Sequence, residues 1–220
     1  MSALPVNEIF QSIQGEARWA GTPSVFIRLQ GCAVGCPWCD TRHTWTLDAG
    51  DEIPVAAMRA KTRDAATHAR LGVADLLAIV ESHQARHVVI TGGEPCAHDL
   101  TELTEKLIAG GRGVQIETSG TDPVRVGAGA WVTVSPKLDM PGGLKVRDDA
   151  MARADEWKIP VGKQADIDAA LAFLEGRPRP AEVWLQPLSR SPKATELCIA
   201  EATRLGFKVS VQIHQFLGVR

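Results

Sequence analysis

Cys32, Cys36 and Cys39 stand in one short run with the spacing C-x3-C-x2-C, and the only other cysteines, Cys96 and Cys198, lie far along the chain. Three thiolates hold three irons of a [4Fe-4S] cluster and leave the fourth iron open to an exogenous ligand, whereas electron-transfer clusters usually take four protein thiolates. The missing fourth thiolate therefore points to a cluster that does chemistry on a bound molecule. On residue types alone a second reading stays open, because His43, four residues past Cys39, completes a possible Cys3His zinc set. A disulfide framework fits poorly: five cysteines is an odd count, and 220 residues can bury a core without staples. Such thiols imply a reducing compartment.

Other chemistry-bearing residues gather in short polar runs: Thr91-Gly92-Gly93-Glu94-Pro95, Glu117-Thr118-Ser119-Gly120, Ser135-Pro136-Lys137 and Gln186-Pro187-Leu188-Ser189. Paired glycines let backbone groups approach a ligand closely, and the carboxylate of Glu94 can take up an ammonium group. This is not a phosphate loop, since no Gly-Lys-Ser/Thr follows. Glu117 and Lys137 end otherwise apolar segments, where a polar group is costly to bury unpaired. Turn formation alone explains any single run. Their recurrence after successive apolar segments argues for a shared site.

The elements that must position these runs alternate. Strands are expected at Ser24 to Leu29, which feeds the cysteine loop, and at His87 to Thr91, Val114 to Glu117, Trp131 to Val134, Glu156 to Ile159, Val183 to Gln186 and Lys208 to Ile213. Helices are expected at Val73 to His83, Leu100 to Ala109, Ile167 to Glu175 (capped by Asp166) and Ala194 to Leu205. This alternation predicts a parallel sheet of βαβ units, with the polar runs at the carboxyl ends of strands, where α/β sheets and barrels build active sites. About six core strands in 220 residues fall short of the roughly 250 residues typical of eight βα units, so the expected fold is a single α/β domain over residues 1–220, an incomplete TIM-like barrel. Residues 46–71, charged, Ala-rich and interrupted by Pro54, read as a partly helical insertion. There is no internal repeat or low-complexity tract.

Composition narrows the function class. The 24 basic and 26 acidic residues give a net charge of -2 without a long single-sign run, which leaves no electrostatic footprint for nucleic acid or an anionic membrane. Met1 to Phe10 lacks a basic and apolar leader pattern, and no apolar run approaches the length of a membrane span. The expectation is a soluble, cytoplasmic protein acting on a small molecule.

With these elements in this order, the chain resembles the 7-carboxy-7-deazaguanine synthase family of the radical S-adenosylmethionine (SAM) superfamily, in its proteobacterial form. The matching runs are residues 7–16 (NEIFQSIQGE), 26–32 (FIRLQGC), 36–41 (CPWCDT), 87–96 (HVVITGGEPC), 115–121 (QIETSGT) and 131–138 (WVTVSPKL). Generic radical SAM enzymes share the cysteines and Gly-Gly-Glu; Gln14-Gly15-Glu16 and Cys39-Asp40-Thr41 are more restrictive. The resemblance implies a partial βα barrel of the radical SAM type. It implies a lyase that converts 6-carboxy-5,6,7,8-tetrahydropterin to 7-carboxy-7-deazaguanine with loss of ammonia, on the route to queuosine and other deazapurines. It also implies that the 5'-deoxyadenosyl radical takes hydrogen from C6 of the pterin and that the cofactor is regenerated.

Carried over residue by residue, the resemblance assigns Cys32, Cys36 and Cys39 to the cluster and Trp38, Cys39, Asp40, Gly93, Glu94, Glu117, Ser135, Pro136, Lys137 and Gln186 to SAM. It assigns Ile13, Gln14, Gly15, Arg28 and Thr91 to the substrate, with Arg28 offering a charged fork suited to the pterin carboxylate. Thr41 matches the position whose oxygen reaches Mg2+. No side chain is assigned as acid or base, since the hard chemistry belongs to the cofactor. The implied partners are the pterin, an electron donor such as flavodoxin or ferredoxin, and a second copy of the chain in a homodimer. A glycyl-radical-activating enzyme shares the cysteine loop but acts on a partner protein, and Gln14-Gly15-Glu16 with Thr41 argues against it. A non-catalytic zinc or electron-transfer module would need a fourth ligand and leave the Gly-Gly-Glu run idle.

The remaining candidates read as ordinary. Cys96 and Cys198 have no partner spacing and are expected to be packing thiols. His68, His83, His87 and His98 are expected in solvated or capping roles. Trp19 and Trp45 flank the active-site segments, where packing or covering the site explains them equally well.

Overall fold

The computed structural model describes residues 3–219. In chain order the elements are β1 (Leu4–Ile13), β2 (Pro23–Leu29), α1 (Val55–Arg59), β3 (Ala69–Leu71), α2 (Val73–Glu81), β4 (His87–Gly92), α3 (Thr101–Ala109), β5 (Gly113–Thr118), β6 (Trp131–Val134), α4 (Asp148–Arg153), β7 (Glu156–Val161), α5 (Gln164–Leu174), β8 (Glu182–Pro187), α6 (Pro192–Leu205), β9 (Lys208–Val209) and α7 (Ile213–Leu217). They form one sheet in the order β3-β1-β2-β4-β5-β6-β7-β8-β9. From β2 to β9 every neighbouring pair is parallel, as the alternation of strands and helices predicts. The expectation of an entirely parallel sheet needs correction at one edge, where β1 runs antiparallel to both β2 and β3.

The sheet curls without closing, and the gap between its ends is bridged by chain segments. Gly15 O accepts from Ile213 N at 3.0 Å, Ala17 N donates to Ser210 Oγ at 2.9 Å, and Gln212 Nε2 donates to Glu16 Oε1 at 2.6 Å. Those bonds explain why the expected final strand shortens to the two residues of β9: Ser210 and Gln212 turn away to bridge the gap. The stretch 46–71 is built into the sheet. It supplies α1, whose Met58 is buried in the core, and β3, which pairs with β1.

Strand alternation sets up two faces. On the outer face Val114 and Ile116 of β5 join Leu76, Leu103 and Leu107 of α2 and α3 in one apolar cluster. Trp157 and Ile159 of β7 join Ile167 of α5 and Cys198 of α6 in another. Fully burying each such large side chain stabilises by roughly 1.5–3 kcal/mol, which ties the helices to the strands. The inner face is polar instead: Gln115, Thr133, Glu156 and Lys158 are all buried there. Helix α6 starts on Ser191, whose Oγ accepts from Ala194 N, with Pro192 first, and ends on Gly206 in the left-handed region. In α5 the expected cap is displaced: the helix begins at Gln164, and Asp166 sits inside its first turn, reaching back to accept from Gly162 N and Lys163 N. No helix among the described residues is long and apolar enough to cross a membrane.

Candidate active site

The carboxyl ends of the parallel strands open into one cavity of about 350 Å³, within the range that encloses small ligands. Ile13, Gln14, Gly15, Arg28 and Thr91 line it, as do Cys32, Cys36, Trp38, Cys39, Asp40 and Thr41 of the cysteine loop. Gly93, Glu94, Glu117, Ser135, Lys137 and Gln186 complete the residues singled out from sequence. Pro136 is the exception, buried and not bordering the cavity.

The cysteine loop leaves β2 and is pinned by its own backbone, with Gly31 N donating to Thr44 O at 2.7 Å and Cys32 N to Trp45 O at 2.9 Å. Trp45 Nε1 donates to Cys39 Sγ at 3.3 Å, so this indole borders the cavity and does more than pack. Burial pushes the thiols of Cys32 and Cys36 up from the ordinary cysteine value. Among the described residues no three His, Cys, Asp or Glu side chains gather tightly enough to share one metal ion. A four-iron cluster, with each thiolate on a different iron, asks for a wider triangle. The Cys3His zinc set fails on geometry: His43 does not border the cavity, and its Nδ1 faces Asp64 at 4.0 Å. Thr41 heads the short turn 42–44 without capping it by its side chain, and its Oγ1 lies 3.7 Å from Cys39 Sγ.

The Gly-Gly-Glu run borders the cavity and also ties the framework together. Gly93 N donates to Leu29 O at 2.9 Å and Glu94 N to Gly31 O at 2.8 Å, so the end of β4 is laced to the entry of the cysteine loop. A Cβ on Gly93 would meet Gly31 O at 2.0 Å. The close approach that demands glycine is therefore backbone to backbone within the protein. Glu94 is 3% exposed, and its carboxylate accepts from Cys96 N (2.9 Å), Thr118 Oγ1 (2.6 Å), Ser119 N (2.8 Å) and Ser119 Oγ. These four donors occupy its lone pairs and join the ends of β4 and β5.

A buried charge cluster crosses the inner face. Lys158 Nζ donates to Glu16 Oε2 at 2.5 Å and to Glu117 Oε2 at 2.6 Å, while Glu117 Oε1 accepts from Gln115 Nε2 at 3.0 Å and Gln14 Nε2 at 3.3 Å. One ammonium cannot fully neutralise two carboxylates. Burial alone would raise Glu16, but Lys158 and Gln212 hold it down to about 2. Glu117 is pushed up to about 7 by burial and by the charge of Glu16, against the pull of Lys158. Burial disfavours charge on Lys158 as well, yet the two carboxylates raise it above the ordinary lysine value. Lys137 Nζ donates to Ser135 Oγ at 2.5 Å, and burial lowers its pKa. Gln186 Oε1 accepts from Ser210 Oγ at 2.9 Å.

Sequence reasoning gave Glu16 no role beyond its place in Gln14-Gly15-Glu16, and it missed Lys158. The signal was present, because Lys158 interrupts the apolar alternation of β7 as Glu117 does in β5. It also missed His214, which borders the cavity and packs where a Cβ on Gly15 would stand, 1.8 Å from His214 Nδ1. Two histidines expected to be solvated or capping are buried. His68 is enclosed, and His87 lies against Trp19 (centroids 4.7 Å apart) and within 3.2 Å of Gln115 Oε1. Trp19 thus packs against the amino ends of β4 and β6 and does not border the cavity. Cys96 and Cys198 are buried in the two apolar clusters, their thiols pushed up by burial to about 12 and about 11.

A model of the radical SAM superfamily matches residues 26–128. Over 220 residues the chain is 47% identical to a 7-carboxy-7-deazaguanine synthase of Escherichia coli (strain K12), covering 98% of both chains. It is 38% identical to the synthase of that name from Buchnera aphidicola subsp. Schizaphis graminum, over 98% of this chain and 99% of the other. A solved structure, the crystal structure of QueE from Escherichia coli, superposes with a TM-score of 0.90 at 46% identity, over 95% of this chain and 93% of that one.

Proposed function

The chain belongs to the 7-carboxy-7-deazaguanine synthase family of radical SAM enzymes, and from that membership we propose how its cavity turns 6-carboxy-5,6,7,8-tetrahydropterin into 7-carboxy-7-deazaguanine with loss of ammonia. The observation that carries the reading is the opening of three thiols, the Gly-Gly-Glu corner and the Arg28 guanidinium into one cavity. No partner protein is needed as substrate, which separates this reading from a glycyl-radical-activating enzyme.

In this proposal Cys32, Cys36 and Cys39 hold the cluster. When bound, the cluster and SAM supply a carbon-centred radical able to take a hydrogen atom from the substrate. Trp38, Asp40, Ser135, Lys137, Gln186 and the backbone at Gly93 line the SAM side, with Glu117 accepting from hydroxyl groups of its ribose. Glu94 and Pro136 act from within the framework: Glu94 ties two strand ends together and Pro136 holds the backbone between Ser135 and Lys137. Arg28, Thr91 and the backbone at residues 13–15 orient the pterin, and Arg28 pairs its carboxylate. Thr41 offers a hydroxyl to Mg2+, which keeps most of its waters and accepts few protein ligands. Trp45 and His214 border the same space and exclude water from it.

The electron donor would be a redox protein such as flavodoxin or ferredoxin, and the exposed indole of Trp38 (38%) supports its approach on that side of the loop. The five reduced cysteines support a cytoplasmic setting. Phe216 and Leu217, exposed on α7, give a homodimer an apolar surface to cover. The test is an anaerobic assay of the reconstituted chain alone with the pterin, SAM, Mg2+ and a chemical reductant. Ammonia released in step with pterin consumed supports the reading; a requirement for a second protein as substrate overturns it.

A further inference from the structure

Arg28 can serve as a fork for a carboxylate only if its guanidinium keeps one orientation. Its Nε donates to Glu8 Oε1 at 2.7 Å, with the two side chains 18% and 8% exposed. Glu8 does not border the cavity. It engages Arg28 through Nε, and the two terminal Nη nitrogens of that guanidinium make no hydrogen bond among the described residues.

The pairing exists because β1 is bulged. Val6 faces Leu29 and Glu8 faces Arg28, so Asn7 is the extra residue. In a regular antiparallel ladder Asn7 would face Arg28, and Glu8 would point to the opposite side of the sheet. The bulge re-aims the rest of β1: Phe10 comes to face Phe26 with ring centroids 5.1 Å apart, and Arg28 Cζ lies 5.7 Å from the Phe10 centroid. Asn7 is fully buried and clasped. Its Nδ2 donates to Gln30 Oε1 (2.7 Å) and Ala65 O (2.8 Å), while Lys61 Nζ donates to Asn7 O and Asn7 Oδ1, both at 3.0 Å. Gln30 in turn donates to His43 O at 2.9 Å and Thr46 O at 2.6 Å, at the end of the cysteine loop. Through Lys61 and Ala65, the stretch 46–71 fixes the bulge in place.

We propose that Glu8 is a positioning residue, set beside Arg28 by the Lys61-clasped bulge at Asn7, which fixes the Arg28 guanidinium by its Nε so that the terminal Nη pair meets the carboxylate of the substrate. The inference rests on the function proposed above. An Arg fork gains its strength from bidentate alignment, so a freely rotating Arg28 binds the carboxylate more weakly. A role for Glu8 in fixing the fork predicts a split between substrates that a merely structural role does not.

The experiment compares Glu8→Ala, Glu8→Gln, Arg28→Ala and the Glu8→Ala/Arg28→Ala pair, each reconstituted anaerobically. For each, KM for the pterin, KM for SAM, and iron and sulfide content are measured. Glu8→Ala should raise the pterin KM about 10-fold, as expected for a misplaced charged contact, with SAM KM and iron content near wild type. Glu8→Gln keeps an oxygen that accepts from Arg28 Nε and should restore most of the loss. Glu8→Ala should add little on the Arg28→Ala background, because coupled residues are not additive. A wild-type pterin KM in Glu8→Ala beside a raised one in Arg28→Ala overturns the positioning role alone. Loss of iron or weakened SAM use in both Glu8 variants overturns it in favour of a structural role. A wild-type pterin KM in Arg28→Ala overturns this inference together with the assignment of Arg28 to the substrate.

Discussion

Lys158 on β7 reaches across the inner face to Glu117 on β5, Nζ to Oε2 at 2.6 Å, and shares its ammonium with Glu16 at 2.5 Å. Removing one partner of a buried ion pair leaves an uncompensated charge and costs about 3–5 kcal/mol. This cluster lies beside the cavity, so its state of ionisation decides whether Glu117 can accept hydrogen bonds there.

The pH dependence follows from two opposite shifts. Glu117, raised to about 7, favours the protonated fold, so its contribution to stability is complete below about 4.5 and is lost as pH rises through about 7. Glu16, held down to about 2, contributes stability above about 4.5 that is lost as pH falls toward about 2. Affinity for SAM should therefore strengthen as pH rises through about 7, where Glu117 ionises. Glu117→Gln should flatten that dependence, and Lys158→Met should move its midpoint to higher pH. Equilibrium SAM binding to reconstituted protein across the neutral range checks this; an unchanged midpoint in Lys158→Met would remove Lys158 from control of Glu117.

Glu94 carries a different expectation. Glu94→Gln places an amide NH2 where donors already converge from Cys96, Thr118 and Ser119. A buried donor left facing donors costs about 1–3 kcal/mol. The variant should melt several degrees lower, and its SAM affinity should fall because the β4 and β5 ends lose their tie. Thermal melting beside SAM binding distinguishes this from direct ligation, which predicts weaker SAM binding at wild-type melting temperature.

Thr41 does not use its side chain to cap the turn that follows it. Thr41→Ala should therefore lower the activation of turnover by Mg2+ while leaving iron content intact, with water partly replacing the lost oxygen. Turnover is measured against Mg2+ concentration for both proteins. Identical activation curves would take Thr41 out of the metal site.

Replacing Cys32, Cys36 or Cys39 by alanine should abolish bound iron and sulfide. Cys96→Ser should leave them near four each per chain, since the Cys96 thiol is enclosed and pushed up to about 12. Iron and sulfide analysis of anaerobic preparations decides it, and zinc without sulfide in wild type would contradict the cluster.

Much of the parallel half was legible because strand and helix periods alternate cleanly from Ser24 onward, and polar residues recur where apolar strands end. Strand β1 was not. Its bulge at Asn7 breaks the period of two, and Asn7, Glu8, Gln11 and Ser12 interrupt its apolar residues, so no strand was expected there. The buried state of His68 and His87 was hidden because both depend on long-range neighbours, Trp19 and Gln115 in the case of His87. Gly93 was singled out as a cavity residue, but its second constraint, the backbone crossing at Gly31, shows only in the distance between the two. Lys158 was overlooked although, like Glu117, it is a charged residue set beside apolar ones in a strand.

The central claim is tested most directly by the mass of the product formed anaerobically from 6-carboxy-5,6,7,8-tetrahydropterin, with wild type and Cys36→Ala run side by side. The account predicts a wild-type product lighter than the substrate by one ammonia, matching 7-carboxy-7-deazaguanine, and none from the variant. Unchanged pterin with the fully reconstituted wild type, or the same product from Cys36→Ala, would contradict it.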